Sequence, residues 1–284
     1  MNIRYNRKDL LQFINDYLEA LLVHDHTRLK LAEDYKTTQN GNPFTLGEGI
    51  WQTVRTIVLR KSFVDSSENQ VGFWGVLEEE DGEKALFVLR LKIINDRISE
   101  IETLLSRKGC HPLFSPDTAR NNPLWDTPIP ESEQLKRVEL INIADSYFEG
   151  IEKSDGSIVM FHPDCQRKEN GIKTTNNPGL LNFSTQAGLY HMDYIKKVRE
   201  RRYPIVDITR GLVWGIVVFD IPGTNVKDGG LPEGSVQHDL RAKPRCLLLH
   251  EIFKIEDGLI RDINAFMTNA PLNATHGWGI AHQN

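Results

Sequence analysis

Two Asn-Gly pairs, Asn40-Gly41 and Asn170-Gly171, stand 130 positions apart and close the similar windows "AEDYKTTQNG" and "HPDCQRKENG". Asn-Gly favours positive φ at both central positions of a type I′ turn, so each pair predicts a tight hairpin. Each window follows an amphipathic helix: "DLLQFINDYLEALLVHD" and, at the same offset, "ELINIADSYFEGIEKSD". Leu10, Phe13, Ile14, Tyr17, Leu18 and Leu21 form one apolar stripe, matched by Leu140, Ile143, Ala144, Tyr147, Phe148 and Ile151. A chain that repeats itself at this spacing builds one unit twice.

Downstream, each half reads as three successive strands joined by turns. Trp74 answers Trp214, Asn95-Asp96 answers Glu256-Asp257, and Ile94 answers Ile255, so the offset grows from 140 to 161. The growth is assigned to a Gly- and Pro-rich loop in the second copy, Pro222 to Lys243, which can serve as a lid. A segment with five prolines, 109–134, separates a first domain (1–108) from a second (135–284) and reads as a linker with docked aromatics. The fold class is α+β, as two tandem cone-shaped barrels in which a curved antiparallel sheet wraps around helices and holds a small ligand at its mouth.

The helix, the Asn-Gly hairpin and the closing K-I-x-D-G-x-I-x-x-I meander (Lys254 to Ile263) resemble the nuclear-transport-factor-2-like superfamily, which includes ketosteroid isomerase, scytalone dehydratase and SnoaL-type polyketide cyclases. Tandem members with T-x-N-G…L-G-x-G-x-W match Thr38 to Trp51 here. The resemblance implies the fold. It leaves function open, because the superfamily contains both enzymes and non-catalytic binding modules.

Differences between the copies select candidate chemistry. In "ALFVLRLKI", Phe87, Leu89, Leu91 and Ile93 share one face, which is expected to line the cone, because burying Arg90 and Lys92 unpaired is costly. At the 161 offset His250 replaces Leu89 and becomes a candidate acid or base; the alternative is a core histidine bonded to a carbonyl or water. His162 and Asp164 are two apart in an extended stretch where the first copy has Ala32 and Asp34, so only the second copy pairs an imidazole with the carboxylate. The alternative places His162 on the surface and Asp164 in a turn after Pro163. Tyr190, Tyr194 and His191 in "GLYHMDYIKK", together with Arg167, Trp214 and Asn264, form the substrate-binding set. By the resemblance, the tyrosines polarise a carbonyl; otherwise they are packing residues, and Arg167 is half of a cross-strand pair with Glu169.

His162, Asp164, His191, Asp193 and His250 offer nitrogen and oxygen ligands but lack an H-x-x-x-H signature, while His276 and His282 read as tail residues. No metal and no other cofactor is expected, and no G-x-G-x-x-G or G-K-[ST] follows Gly47 to Gly49. The first copy is chemically quiet, although Glu33, Asp34 and Trp51 can close a second pocket there.

A net charge of −5 gives no broad basic field for nucleic acid, and no segment has the length of a signal peptide or membrane span. Three widely spaced cysteines, Cys110, Cys165 and Cys246, fit a reducing compartment, so a cytoplasmic location is expected. The expected function is a cofactor-independent enzyme that moves a proton near a carbonyl, by dehydration, isomerisation or ring closure. Its partner is then an apolar small molecule bearing a carbonyl or hydroxyl, and a homo-oligomer is compatible. The alternative is a non-catalytic tandem module that binds a small molecule or scaffolds another protein.

Overall fold

The computed structural model describes residues 4–180, 182–223 and 235–279. In the first half, α1 (Arg7–Leu22) precedes β1 (Leu31–Gln39), β2 (Asn42–Pro43), the short α2 (Ile50–Thr53) and a meander of β3 (Val54–Asp65), β4 (Gln70–Glu79), β5 (Lys84–Ile94) and β6 (Arg97–Ser106). The second half repeats this with α3 (Arg137–Lys153), β7 (Phe161–Glu169), β8 (Ile172–Lys173), α4 (Thr185–Leu189), β9 (Lys197–Asp207), β10 (Leu212–Ile221), α5 (Val236–Ala242), β11 (Arg245–Glu256) and β12 (Leu259–Ala270). The strand orders are β2-β1-β6-β5-β4-β3 and β8-β7-β12-β11-β10-β9. Both are open six-stranded sheets, mixed because β1 runs parallel to β6 and β7 parallel to β12. The chain is therefore two tandem α+β units, each a curved sheet around its own helix.

The two Asn-Gly pairs do the same work. Asn40 and Asn170 have φ of 50° and 46°, and each amide caps the neighbouring strand through both of its ends. Asn40 Nδ2 donates to Leu105 O at 3.0 Å and its Oδ1 accepts from Leu105 N at 2.8 Å. Asn170 does so with Met267, at 2.9 Å in each direction. Leu105 and Met267 differ by 162 positions, which fixes the true offset of the closing strands.

The inner faces carry α1 over Phe73, Phe87 and Leu89, and α3 over Val217, Leu249 and Phe253. The outer faces bury each other in a third core, where Phe63, Trp74, Trp125, Trp214 and Phe266 meet edge to face or tilted. Trp125 comes from the proline-rich segment, is fully buried, and donates to Asp262 at 2.8 Å. Ion pairs repeat the two-fold relation. Arg7 reaches Asp207 at 2.6 Å, and Arg137, its counterpart 130 positions on, reaches Asp65. Such reciprocity is the geometry of an isologous dimer interface, here within one chain.

Arg90, expected to face water, is buried on this outer face. Its Nε and Nη1 are paired with Glu102 at 2.7 Å, Gln70 at 2.7 Å and Glu100 at 2.8 Å. Among the described residues no helix is long and apolar enough to cross a membrane, which says nothing about crossing by strands.

Gly72 on β4 lies directly against the opposing sheet. A Cβ there would lie 2.2 Å from the Trp214 ring and 2.8 Å from Ile205. Gly72→Ala is expected to destabilise the protein by about 1–3 kcal/mol through overpacking, read as a lower urea midpoint with an unchanged slope.

Candidate functional site in the second cone

A cavity of about 310 Å³ opens inside the second cone. That is a volume suited to a small ligand. Its walls are mostly apolar, with Phe183, Met192, Phe219, Leu247, Leu249 and Met267. Among the ionisable side chains that break this surface are Arg167, Glu169, Glu251 and His111. Arg167 and Glu169 come from β7, Glu251 from β11 and His111 from the segment after β6.

Alternation along β7 turns Cys165 and Arg167 inward. Arg167 is 2% exposed; its Nε lies 3.3 Å from both Glu169 and Thr174, and its Nη1 lies 3.4 Å from the Tyr147 hydroxyl. Burial alone would lower its pKa, but Glu169 and Tyr147 outweigh that and raise it. Gly188, at the end of α4, lets that helix lie against Phe183 and the guanidinium. Tyr147, projecting from α3, hydrogen-bonds Glu251 as well.

Glu251 projects inward from β11 and is 2% exposed. Burial, reinforced by the charge of Glu169, pushes its pKa up to about 8, so it holds its proton at neutral pH. Its Oε2 is buried with no hydrogen-bond partner among the described residues. His111, in the segment leaving β6, is 3% exposed, with Nδ1 3.1 Å from Leu113 N and Nε2 buried without a partner among the described residues. Burial lowers its pKa to about 4, so the ring is neutral. The result is a mainly apolar chamber with the Arg167–Glu169 pair and two neutral groups, each with one polar atom left without a partner among the described residues.

The expected site residues divide by strand parity. Arg167, Tyr194 and His191 line the cavity, with His191 exposed at its rim and stacked on Phe183 at 5.0 Å. Tyr190 is half exposed and lies outside it. His162 and Asp164 occupy the outward parity of β7, where the Asp164 side chain is 88% exposed and 3.9 Å from the imidazole. They form no inward acid–base pair.

His250, Trp214 and Asn264 face the seam between the sheets and not the cone. His250 is fully buried, pairs with Ile216 on β10, and accepts from Trp214 Nε1 at 3.2 Å. The cause is one residue of register. Asn95 and Asp96 have positive φ, as do Asp257 and Gly258, so the turns match at 162 positions and not at 161. A one-residue slip in a strand exchanges its two faces. Leu89 therefore corresponds to Glu251, and His250 to Val88. The Asp-Gly of the second turn is a stronger type I′ signal than Glu-Asp, and matching it would have found Glu251 from the sequence. His111 carries no such signal, since it lies in a segment outside the repeated strands.

Expectations for the first half and the lid also change. Trp51 packs against Tyr17 at 5.2 Å inside the first cone, while Glu33 and Asp34 lie on an outer groove. Of the loop from Pro222 to Lys243, residues 224–234 lie outside those described. The rest includes α5, whose Leu240 and Arg241 cover the cavity, with Arg241 bonded to Asp193 at 2.7 Å and to His191 O at 2.6 Å. His282 lies outside the described residues, and His276 is a buried group and not a loose tail residue.

Glu102, His250 and His276 bring ligand-type atoms within 4.8 Å of one another in the seam. This set does not suit a metal. Trp214 Nε1 can only donate, so His250 Nδ1 is the acceptor and the neutral ring carries its proton on Nε2, the atom a metal would need. Glu102 is already held by Arg202 at 2.5 Å and Arg90 at 2.7 Å.

Residues 133–267 match a family described as a domain of unknown function, DUF8021, which is less than half of the chain. No curated protein matches. Solved structures similar to one half include an LEH-like epoxide hydrolase of M. tuberculosis (12% identity, 46% of this chain and 83% of that one, TM-score 0.32). AusH from Aspergillus nidulans is similar at 14% identity, 46% and 85% coverage, and TM-score 0.31. A de novo designed protein with a curved β-sheet scores equally, at 10% identity, 46% and 87% coverage, and TM-score 0.32. Likeness at this level carries no chemistry.

Glu251 makes stability depend on pH. The folded protein keeps this proton to about pH 8, whereas the unfolded chain releases it at the ordinary glutamate value of about 4.3. The folded state binds more protons between those values, so this contribution is full below about pH 4.3 and is lost as pH rises to about 8. Compared with wild type, Glu251→Gln is expected to remove a decline on the order of a few kcal/mol between pH 5 and 8, measured by urea denaturation across that range.

Proposed function

We propose that the second cone is the active site of a cofactor-independent enzyme that moves protons beside a carbonyl group in a small, mainly apolar substrate. One arrangement carries this reading: Glu251, buried at an apolar cavity and with its pKa pushed up to about 8, has a carboxyl oxygen without a hydrogen-bond partner among the described residues and stands beside the Arg167–Glu169 pair. A neutral acid in such surroundings can donate a proton to a developing oxyanion, where a hydrated one would be ionised already.

In the proposed cycle the substrate carbonyl oxygen rests on Glu251. The Glu169 carboxylate takes a proton from the adjacent carbon as Glu251 passes its own to the oxygen, giving an enol. In a β,γ-unsaturated ketone this is a dienol, and returning the proton from Glu169 to the γ carbon, while the oxygen proton goes back to Glu251, completes an isomerisation and restores both carboxyls. In a β-hydroxyketone the hydroxyl takes the proton from Glu169 and leaves as water, while the enol proton goes back to Glu251, which completes a dehydration. Arg167 holds Glu169 in place, and through Tyr147 it is linked to Glu251. The apolar walls exclude competing water. On this reading the enzyme is a lyase or isomerase, and residues 1–108 mainly support residues 135–284. The reduced cysteines Cys110, Cys165 and Cys246 support a cytoplasmic location.

Wild-type protein is expected to accelerate exchange of deuterium from solvent into the positions beside the carbonyl of 4-phenylbutan-2-one, followed by NMR. Glu251→Gln should lower the rate about 100-fold or more. Binding of the ketone without any acceleration over buffer would support a non-catalytic binding module instead.

A further inference from the structure

We infer that His111, carried by the segment that leaves the first sheet, is a second hydrogen-bond anchor for the ligand of the second cone, and that this ligand is an uncharged molecule with two oxygen functions. The inference rests on the reading of the cavity as a small-molecule site with Glu251 as its first anchor.

The orientation of His111 follows from its neighbours. Nδ1 lies 3.1 Å from Leu113 N and 3.2 Å from Leu113 O, and the same carbonyl accepts from Asn170 Nδ2 at 3.1 Å. The Leu113 backbone therefore engages Nδ1 in either tautomer, and Nε2 is the end of the ring left over, an acceptor when Nδ1 donates and a donor when it accepts. His111 lines the cavity, and its Nε2 is buried with no partner among the described residues. A buried polar atom left unpaired is destabilising, and a residue that served the fold alone would be expected to have its second nitrogen satisfied too.

The segment is held firmly. Ser115 N bonds Asn170 O at 2.9 Å, and a Cβ on Gly171 would lie 2.2 Å from Ser115 O, so the strap lies directly on the hairpin of the second half. The Asn-Gly hairpin therefore positions His111 as well as β12. Glycine at 171 is what allows the close approach.

Charge sets the ligand class. Arg167 is balanced by Glu169 and Arg241 by Asp193, and both anchors are neutral, so the chamber holds no unbalanced charge for an ionic ligand to meet. Glu251 calls for an oxygen, His111 Nε2 calls for a hydroxyl, which can donate or accept, and the remaining wall calls for hydrocarbon. A hydroxyketone on an apolar frame meets all three demands. The proline-rich segment between the two units is then part of the site, because His111 lies in it.

Calorimetric titration of the full chain with three probes of one carbon frame tests this: 4-hydroxy-4-phenylbutan-2-one, 4-phenylbutan-2-one and butylbenzene. Wild type is expected to bind the hydroxyketone about tenfold or more tighter than the ketone. His111→Asn keeps an acceptor near the Nδ1 position and deletes Nε2, and it should abolish that preference. His111→Gln places an amide near the Nε2 position and should retain most of it. Preference kept in His111→Asn, or lost only in His111→Gln, shows that His111 merely shapes its own turn and overturns the inference. If wild type prefers the ketone to butylbenzene but not the hydroxyketone to the ketone, the Glu251 reading stands and this inference falls. Equal or absent binding of all three overturns both.

Discussion

Everything in this protein depends on two sheets burying their outer faces against each other. Strands β4, β5, β10 and β11 are consequently covered on both sides, by a helix within each cone and by the opposing sheet across the seam. Once both faces are buried, hydrophobicity no longer tells one face from the other, and only parity decides which side chain faces the cavity. The seam can tolerate charge because it is internally paired. Glu102 is buried, yet Arg202 and Arg90 hold its carboxyl well below the usual range despite the desolvation that opposes this. His250 and His276 sit beside that network and stay neutral through burial.

The duplication has been used asymmetrically. Tyr17 and Tyr147 occupy equivalent places on α1 and α3, but Thr37, Gln39 and Leu89 in the first half become Arg167, Glu169 and Glu251 in the second. The first cone is filled by Trp51, whereas the second keeps an open chamber. An apolar chamber and a charge-balanced lining make each other possible. An arginine in such a chamber requires the carboxylate beside it, and that same carboxylate helps to keep Glu251 protonated. The acid and its neighbours are one electrostatic unit. The straps extend this coupling between halves: Ser115 lies on Gly171 of the second hairpin, and Thr275 of the closing segment lies on Gly41 of the first, 2.0 Å from where a Cβ would be.

What the sequence determined by itself was the repeated unit. The helical stripes, the Asn-Gly hairpins at 130 positions and the three-strand meanders are local patterns, and local patterns follow from side-chain period and turn chemistry without tertiary context. The differences between the copies were also legible, and they led to Arg167, Tyr194 and His191, which line the cavity of the second cone. The tertiary structure decided the rest. His250 and Glu251 are adjacent, and a bulge after Lys92 and Lys254, with the turn that follows, settles which of them enters the cone. No reading of alternation can settle this when both faces of β11 are buried. His111 was beyond reach for a different reason: it belongs to a proline-rich segment with no counterpart among the strands, and it reaches the site only because the segment is drawn across the second hairpin. The pKa of Glu251 likewise arises from burial and from the charge of Glu169, which is 82 positions away in the chain and becomes its neighbour only on folding.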